Sequence, residues 1–236
     1  EKIFGSGRLI TVHAEEQMVE KAIGLAKRFG ARLYICHVSA REDLDSITEE
    51  KRSWLYAEAT PHHMFLNSAD SDQFIRMKPM LKTVLDQEAV LAAVASGIID
   101  TIGTDHAPHT VGEKLGENPP YGVPGVETML PLLLNAVNEG LFTIEKVVEL
   151  CCHNPAQIFG IKNKGFIREG YDADLTVVDM DFEQEVSEER LYTKCRWSPF
   201  KGWLLKGWPI LTIVNGNIVF DGDIDESFKG KEVRFR

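Results

Sequence analysis

The sequence predicts an α/β fold: a parallel sheet of the α/β-barrel kind, followed by a smaller β-rich segment. Three observations carry that expectation. Apolar runs and helical segments alternate through the first 110 residues. Each of four apolar runs closes on histidine, or on aspartate with histidine. From about Lys164 the helical spacing gives way to alternating strands with tight-turn residues. Strands alternating with helices imply βαβ units and parallel pairing.

The elements follow in order. "RLITVHAE" is a short apolar run ending in His13 and Glu15. In "EQMVEKAIGLAKRFG", Met18, Ala22, Leu25, Ala26 and Phe29 fall at helical spacing, and Gly30 reads as a stop. "ARLYICHVS" is a second run, ending in His37 and Ser39, and "REDLDSITEEKR" a polar-faced helix. "SWLYAEATPHH" is a third run, ending in Thr60, His62 and His63. A helix, "DQEAVLAAVASG", leads to the fourth run, "IIDTIGTDHAPH". The loop "ENPPYGVPG" precedes a helix, "VETMLPLLLNAVNEG", in which Pro131 is expected in the first turns rather than the middle. "TIEKVVELCCHNPAQIFG" gives one or two more helices. The tail carries two strand regions and the turn signals "NGN" and "DGD". This divides the chain into domains at 1–163 and 164–236.

Composition narrows the function. The chain has 236 residues, 44% hydrophobic and 26% charged, with a net charge of −10. An acidic chain without basic runs interleaved with aromatics argues against nucleic-acid partners and for a small-molecule substrate. No stretch nears the ~18 consecutive apolar residues of a membrane span. The four cysteines show no CxxC spacing, which predicts free buried thiols in a reducing cytoplasm. The N-terminus has neither an initiator Met nor signal-peptide character, so the chain reads as beginning in mid-protein.

In a parallel α/β barrel, catalytic residues sit at the C-terminal ends of strands. His13, His37 and Asp105 would therefore converge, and imidazole with carboxylate is a zinc-type ligand set. A bound metal lowers the pKa of its water toward about 7, and the aspartate can take the proton. On a strand only one of His62 and His63 can face the mouth. Thr60 or His62 would orient a ligand, or pack under a loop. His153 is expected to cap or pack, His106 to point away, and His109 to reach a substrate. "RMKPMLKT" reads either as a solvated loop or as an anion-binding lid. For Lys114 the solvated loop is preferred.

"TVHAE", "CHVS", "ATPHH", "GTDHAPH", "GVPGVETMLPLLL", "NPAQIFGI", "GFIREGYDADLTVVD" and "KCRWSPFKGW" stand here in this order. Together they resemble the cyclic-amide branch of the amidohydrolase superfamily, and "TDHAPH" followed by "PGVET" resembles the long bacterial and archaeal dihydroorotases. The resemblance covers essentially the whole chain. It implies a metal-dependent (β/α)8 TIM barrel, here its C-terminal half with strands five to eight, plus part of a small β-sandwich. It implies reversible hydrolysis of dihydroorotate to N-carbamoyl-aspartate in pyrimidine biosynthesis, with two zinc ions in the intact enzyme. His13 and His37 would bind one metal, and Asp105 would be ligand and general acid/base. His109 and the backbone of Val123, Pro124 and Gly125 would meet the substrate.

Two departures stand out. The family's HxH motif, carboxylate-binding Arg and bridging Asp or carboxylated Lys have no counterpart here. Lys78 stands where a substrate-binding Asn is usual, and its charge would hold the substrate carboxylate. The expected partner is the missing N-terminal half of the same protein, possibly within a homodimer. The half-barrel alone is expected to be unstable, because its sheet edges and apolar faces would be exposed, and inactive without the other half. Two alternatives stay open: another cyclic amidase (hydantoinase, dihydropyrimidinase or allantoinase), or a non-catalytic scaffold.

Overall fold

The computed structural model describes residues 2–235. Four parallel strands form the first sheet in the order β1-β2-β3-β4: β1 (Leu9–Val12), β2 (Arg32–Ile35), β3 (Leu55–Ala59) and β4 (Thr101–Ile102). Helices α1 (Gln17–Phe29) and α2 (Arg41–Glu50) make the first two crossovers. A short α3 (Pro61–Phe65) and a longer α4 (Val84–Ser96) lie between β3 and β4. Sequential parallel neighbours joined by helices are the arrangement that the alternating pattern predicts.

Register explains the two faces of this sheet. Ile10 pairs with Leu33, and Leu33 with Leu55; Val12 pairs with Ile35, and Ile35 with Ala57. Leu33, Ile35, Leu55, Ala57 and Ala59 are completely buried. Because side chains alternate across a strand, Thr11, Tyr34, Tyr56, Glu58 and Thr101 take the opposite face, which is polar. The apolar face meets helices: α1 packs on β2 and α2 on β3. α1 contributes Val19, Ala22, Ile23 and Ala26 to this core.

The helix ends follow local chemistry. Gly30 closes α1 at φ 62°, its N–H reaching back to Ala26 and Lys27 carbonyls. Thr83 and Asp86 form a reciprocal capping box at the start of α4. The same device, Thr110 with Glu113, starts the four-residue α5 (Val111–Lys114).

α6 (Val126–Asn138) holds Pro131 in its interior, not in its first turns as expected. The carbonyl of Glu127 thereby lacks its i+4 donor. α7 (Ile144–Val148) passes through a π-helical turn (Glu149–His153) into α8 (Asn154–Ile158). His153 packs, its ring stacked on Phe166 with centroids 4.2 Å apart. The second sheet is antiparallel, β5-β6-β7, from β5 (Leu175–Glu185), β6 (Leu204–Val214) and β7 (Asn217–Phe220). The β6–β7 hairpin turns at Asn215 and Gly216, φ 49° and 81°. Positive φ at both positions is the Asn-Gly turn the sequence signals.

The chain divides into two compact units, one of residues 1–127 with 187–199, the other of 128–186 with 200–236. In the second, Asn138 Nδ2 donates to the carbonyls of Met180 and Lys206, each at 2.9 Å, and ties α6 to β5 and β6. All four cysteines are free, but only Cys195 is buried as expected; Cys36 and Cys151 are half-buried and Cys152 is exposed. No helix among the described residues is long and apolar enough to cross a membrane.

Leu33 is fully buried where the apolar rows of β1, β2 and β3 meet. Leu33→Ala is expected to cost about 2–5 kcal/mol. A urea titration should show a lower midpoint with an unchanged slope.

Candidate active site

The C-terminal ends of β1 and β2 place two imidazoles together. The rings of His13 and His37 lie edge to face, 4.4 Å between centroids. His13 is exposed and His37 is buried. Burial, then the His13 ring, lowers the pKa of His37, while the charge of Asp105 acts the other way. The ring is thus biased to neutral, the form that donates a lone pair to a metal. Its Nδ1 is buried without a hydrogen-bond partner.

Asp105 lies beyond the end of β4 and is exposed. Its charge also bears on Cys36 and Glu58. Among the described residues no group of three or more His, Cys, Asp or Glu is placed to hold a metal ion. The structure therefore brings His13 and His37 together and does not gather Asp105 with them into a ligand triad. An unpaired buried imidazole nitrogen beside a second imidazole fits a divalent metal as a ligand pair, which other groups would have to complete.

His62 and His63 depart from the strand reading. β3 ends at Ala59, and Pro61 opens α3, so both histidines are helical and both are buried. Pro at N1 favours that turn, since its missing N–H has no intrahelical role there. His63 Nε2 lies 3.0 Å from the carbonyl of Pro79, which can only accept. The ring proton therefore sits on Nε2, and Nδ1 accepts from the Thr60 hydroxyl at 2.8 Å. Burial pushes the pKa of His63 down to about 4 and that of His62 well below the ordinary range.

The segment after β4 folds back on its own strand end. His106 Nδ1 accepts the N–H of Gly125 at 3.0 Å and of Val126 at 3.4 Å. The N–H of Ala107 reaches the carbonyl of Val123 at 3.0 Å. Gly122 has φ 118°, and a Cβ there would fall 2.3 Å from the Ala107 side chain. These bonds bury Val123, Pro124 and Gly125 beside the end of β4. His109 is half-buried, its carbonyl accepting from Trp197 Nε1 at 2.7 Å.

Lys114 is the clearest correction. It is not solvated; it is among the largest fully buried side chains. Its Nζ donates to the carbonyls of Gly122 at 2.9 Å, Pro120 at 3.0 Å and Arg76 at 3.4 Å, and lies 5.7 Å from the Trp197 ring centroid. The preceding capping box fixes the turn that directs it inward. Arg76 and exposed Lys78 both stand over the Tyr121 ring, at 3.9 and 4.5 Å, and Lys82 pairs with Glu15 at 3.3 Å.

A network on the polar sheet face escaped the sequence reading. Tyr34 donates to Glu58 Oε2 at 2.7 Å and lies 2.6 Å from Thr101 Oγ1. Glu58 Oε1 accepts the backbone N–H of His37 at 3.2 Å. Burial raises the pKa of Glu58, and the bonds from Tyr34 and His37 oppose it. The available signal was parity: in "LYAEA" the buried Leu55, Ala57 and Ala59 alternate with Tyr56 and Glu58. Asp43 is likewise buried and accepts the N–H of Glu16 at 2.8 Å, anchoring the turn after His13.

Comparison with known proteins bears on this geometry. Residues 7–219 match the sequence model of the Amidohydrolase family. The chain is 42% identical over 229 residues to a dihydroorotase of Halobacterium salinarum, covering 95% of this chain and 53% of that protein. It is 40% identical over 212 residues to a dihydroorotase of Pyrococcus furiosus, covering 89% and 50%. The chain thus spans about half the length of the curated relatives it matches. Among solved structures, an L-hydantoinase (dihydropyrimidinase) from Arthrobacter aurescens superposes with TM-score 0.88 at 26% identity, covering 94% of this chain and 60% of that one. A D-hydantoinase from a Bacillus species gives 0.89 at 25%, covering 94% and 61%.

Two outcomes test these assignments. Lys114→Met should leave the carbonyls of Pro120 and Gly122 without this donor, while that of Arg76 keeps the Gly122 N–H, and cost about 1–3 kcal/mol for each of the two that stays dry; amide exchange at Gly122 and Val123 should quicken. Burial, the largest influence, raises the pKa of Asp43 from 3.8 to about 6. An acid with a raised folded pKa favours folding below its unfolded value and loses that contribution as pH rises through the folded one. Asp43→Asn keeps the acceptor for Glu16 and removes the titration. Thermal melts should show its stability gaining on the wild type as pH rises from about 4 to 6.

Proposed function

This chain belongs to the amidohydrolase family, and from that premise we propose that the intact protein is a dihydroorotase. It would hydrolyse dihydroorotate reversibly to N-carbamoyl-aspartate in cytoplasmic pyrimidine synthesis. The observation that carries the reading is the 37–42% identity to curated dihydroorotases over 87–95% of this chain. A second reading, a hydantoinase or dihydropyrimidinase, is favoured by the solved structures, at 22–27% identity.

In the proposed architecture residues 1–163 form the C-terminal half of a (β/α)8 barrel, with β1 to β4 as its fifth to eighth strands. Residues 164–236 contribute to a β-sandwich. The remaining strands and ligands would come from the N-terminal half of the same protein.

His13 and His37 would hold one zinc ion through neutral rings. Bound zinc supplies Lewis acidity that makes water a nucleophile near neutral pH. Asp105 would take the proton of the attacking water and deliver it to the leaving ring nitrogen. His109 would hydrogen-bond the substrate, and the backbone of Val123, Pro124 and Gly125 would line its ring. Lys78 would attract its carboxylate.

The test is turnover of dihydroorotate, hydantoin and allantoin by the intact protein, with metal analysis. Preferential hydantoin turnover would favour the second reading. Asp105→Asn should lower kcat by about 10²–10⁴. Lys78→Ala should raise KM for dihydroorotate, and an unchanged KM would remove Lys78 from the binding site.

A further inference from the structure

We propose that Glu58 is the positioning residue of His37, fixing the backbone turn that presents this imidazole at the strand end; the inference rests on reading His37 as a metal ligand. His37 has φ 39°, in the left-handed region that residues other than glycine rarely adopt. Two successive N–H groups leave this turn, from His37 and Val38. Both end on Glu58: His37 N–H on carboxylate Oε1 at 3.2 Å, and Val38 N–H on the main-chain carbonyl at 2.8 Å. One residue of β3 thus latches the turn after β2 with its side chain and its backbone.

The carboxylate is itself held in place. Tyr34 donates to Oε2, so the short contact between Tyr34 and Thr101 must be a donation from Thr101 to Tyr34. The relay Thr101–Tyr34–Glu58–His37 runs across β4, β2, β3 and back to the end of β2. Gly103 leaves room for it: a Cβ there would lie 2.4 Å from the Glu58 carboxylate. Among the described residues no ion pair joins Glu58 to a cation. A carboxylate so placed is not explained as half of a salt bridge, whereas a charge-assisted bond to a strained N–H accounts for it.

The experiment uses the intact protein with Glu58→Ala, Glu58→Gln and Gly103→Ala. Zinc affinity is measured by chelator competition, and amide exchange is followed at His37 and Val38. Glu58→Ala should weaken zinc binding roughly 10- to 100-fold and speed exchange at His37. Glu58→Gln keeps an oxygen within reach of that N–H and should restore both toward the wild type. Gly103→Ala displaces the carboxylate without removing it and should resemble Glu58→Ala. The double variant should be no worse than Glu58→Ala alone, because both act on one bond. Zinc affinity and exchange in Glu58→Ala equal to those of Glu58→Gln would overturn the proposal. If the wild type binds no zinc, the metal-ligand reading fails by itself. The exchange difference between the Ala and Gln variants then decides the positioning role.

Discussion

Everything at the candidate site depends on the register of four parallel strands. Parallel strands send every following loop out at the same edge of the sheet, so residues distant in sequence become neighbours there. β1 and β2 pair from Leu9 with Arg32 to Val12 with Ile35, and end level. His13 follows β1 by one residue and His37 follows β2 by two, which brings their rings to 4.4 Å. A slip of one residue in either pairing would exchange the polar and apolar faces. The fully buried row Leu33, Ile35, Leu55, Ala57 excludes that slip.

Buried titratable groups around these strand ends are handled in three different ways. Imidazoles are kept neutral by burial, as in His37, His62 and His63. The Lys114 ammonium is cradled by three main-chain carbonyls, although the same burial depresses its pKa. The Glu58 carboxylate is met by a phenol and a backbone N–H. A buried ionised group needs hydrogen bonds more than it needs a counter-charge, because a lone ion pair does not recover the cost of desolvating both partners. Carbonyls and N–H groups are fixed by the fold, so using them ties each ion to one loop geometry.

That also separates what was legible in the sequence from what was not. The helices of the βα repeat showed through 3.6-residue spacing and glycine stops, and the Asn215–Gly216 hairpin through its turn residues. The strand-end histidines were legible because polar residues interrupt apolar runs at one recurring place. His62 and His63 were misplaced because Pro61 starts a helix immediately after Thr60, and strand parity ceases there. Lys114 was misjudged for a different reason. Its acceptors are main-chain carbonyls of Arg76, Pro120 and Gly122, and a carbonyl leaves no mark in a sequence. Glu58 was hidden by ordinary composition, since a glutamate on a half-exposed strand face resembles any surface residue.

Backbone strain marks two of the candidate residues. Positive φ outside glycine occurs at His37 and Asp105, 39° and 44°, each just past a parallel strand. Histidine and aspartate are among the residues that tolerate this region best, yet it still disfavours them relative to glycine. A left-handed residue turns the chain sharply, so the side chain can aim along the strand axis instead of away from the sheet. Glycine would make the turn more easily but carries no ligand. Strain of this sort persists only where neighbours over-determine it. At Glu16, also positive, the buried carboxylate of Asp43 does so. At His37 it is Glu58, and the glycine the chain uses stands opposite, at Gly103, where it makes room for that carboxylate.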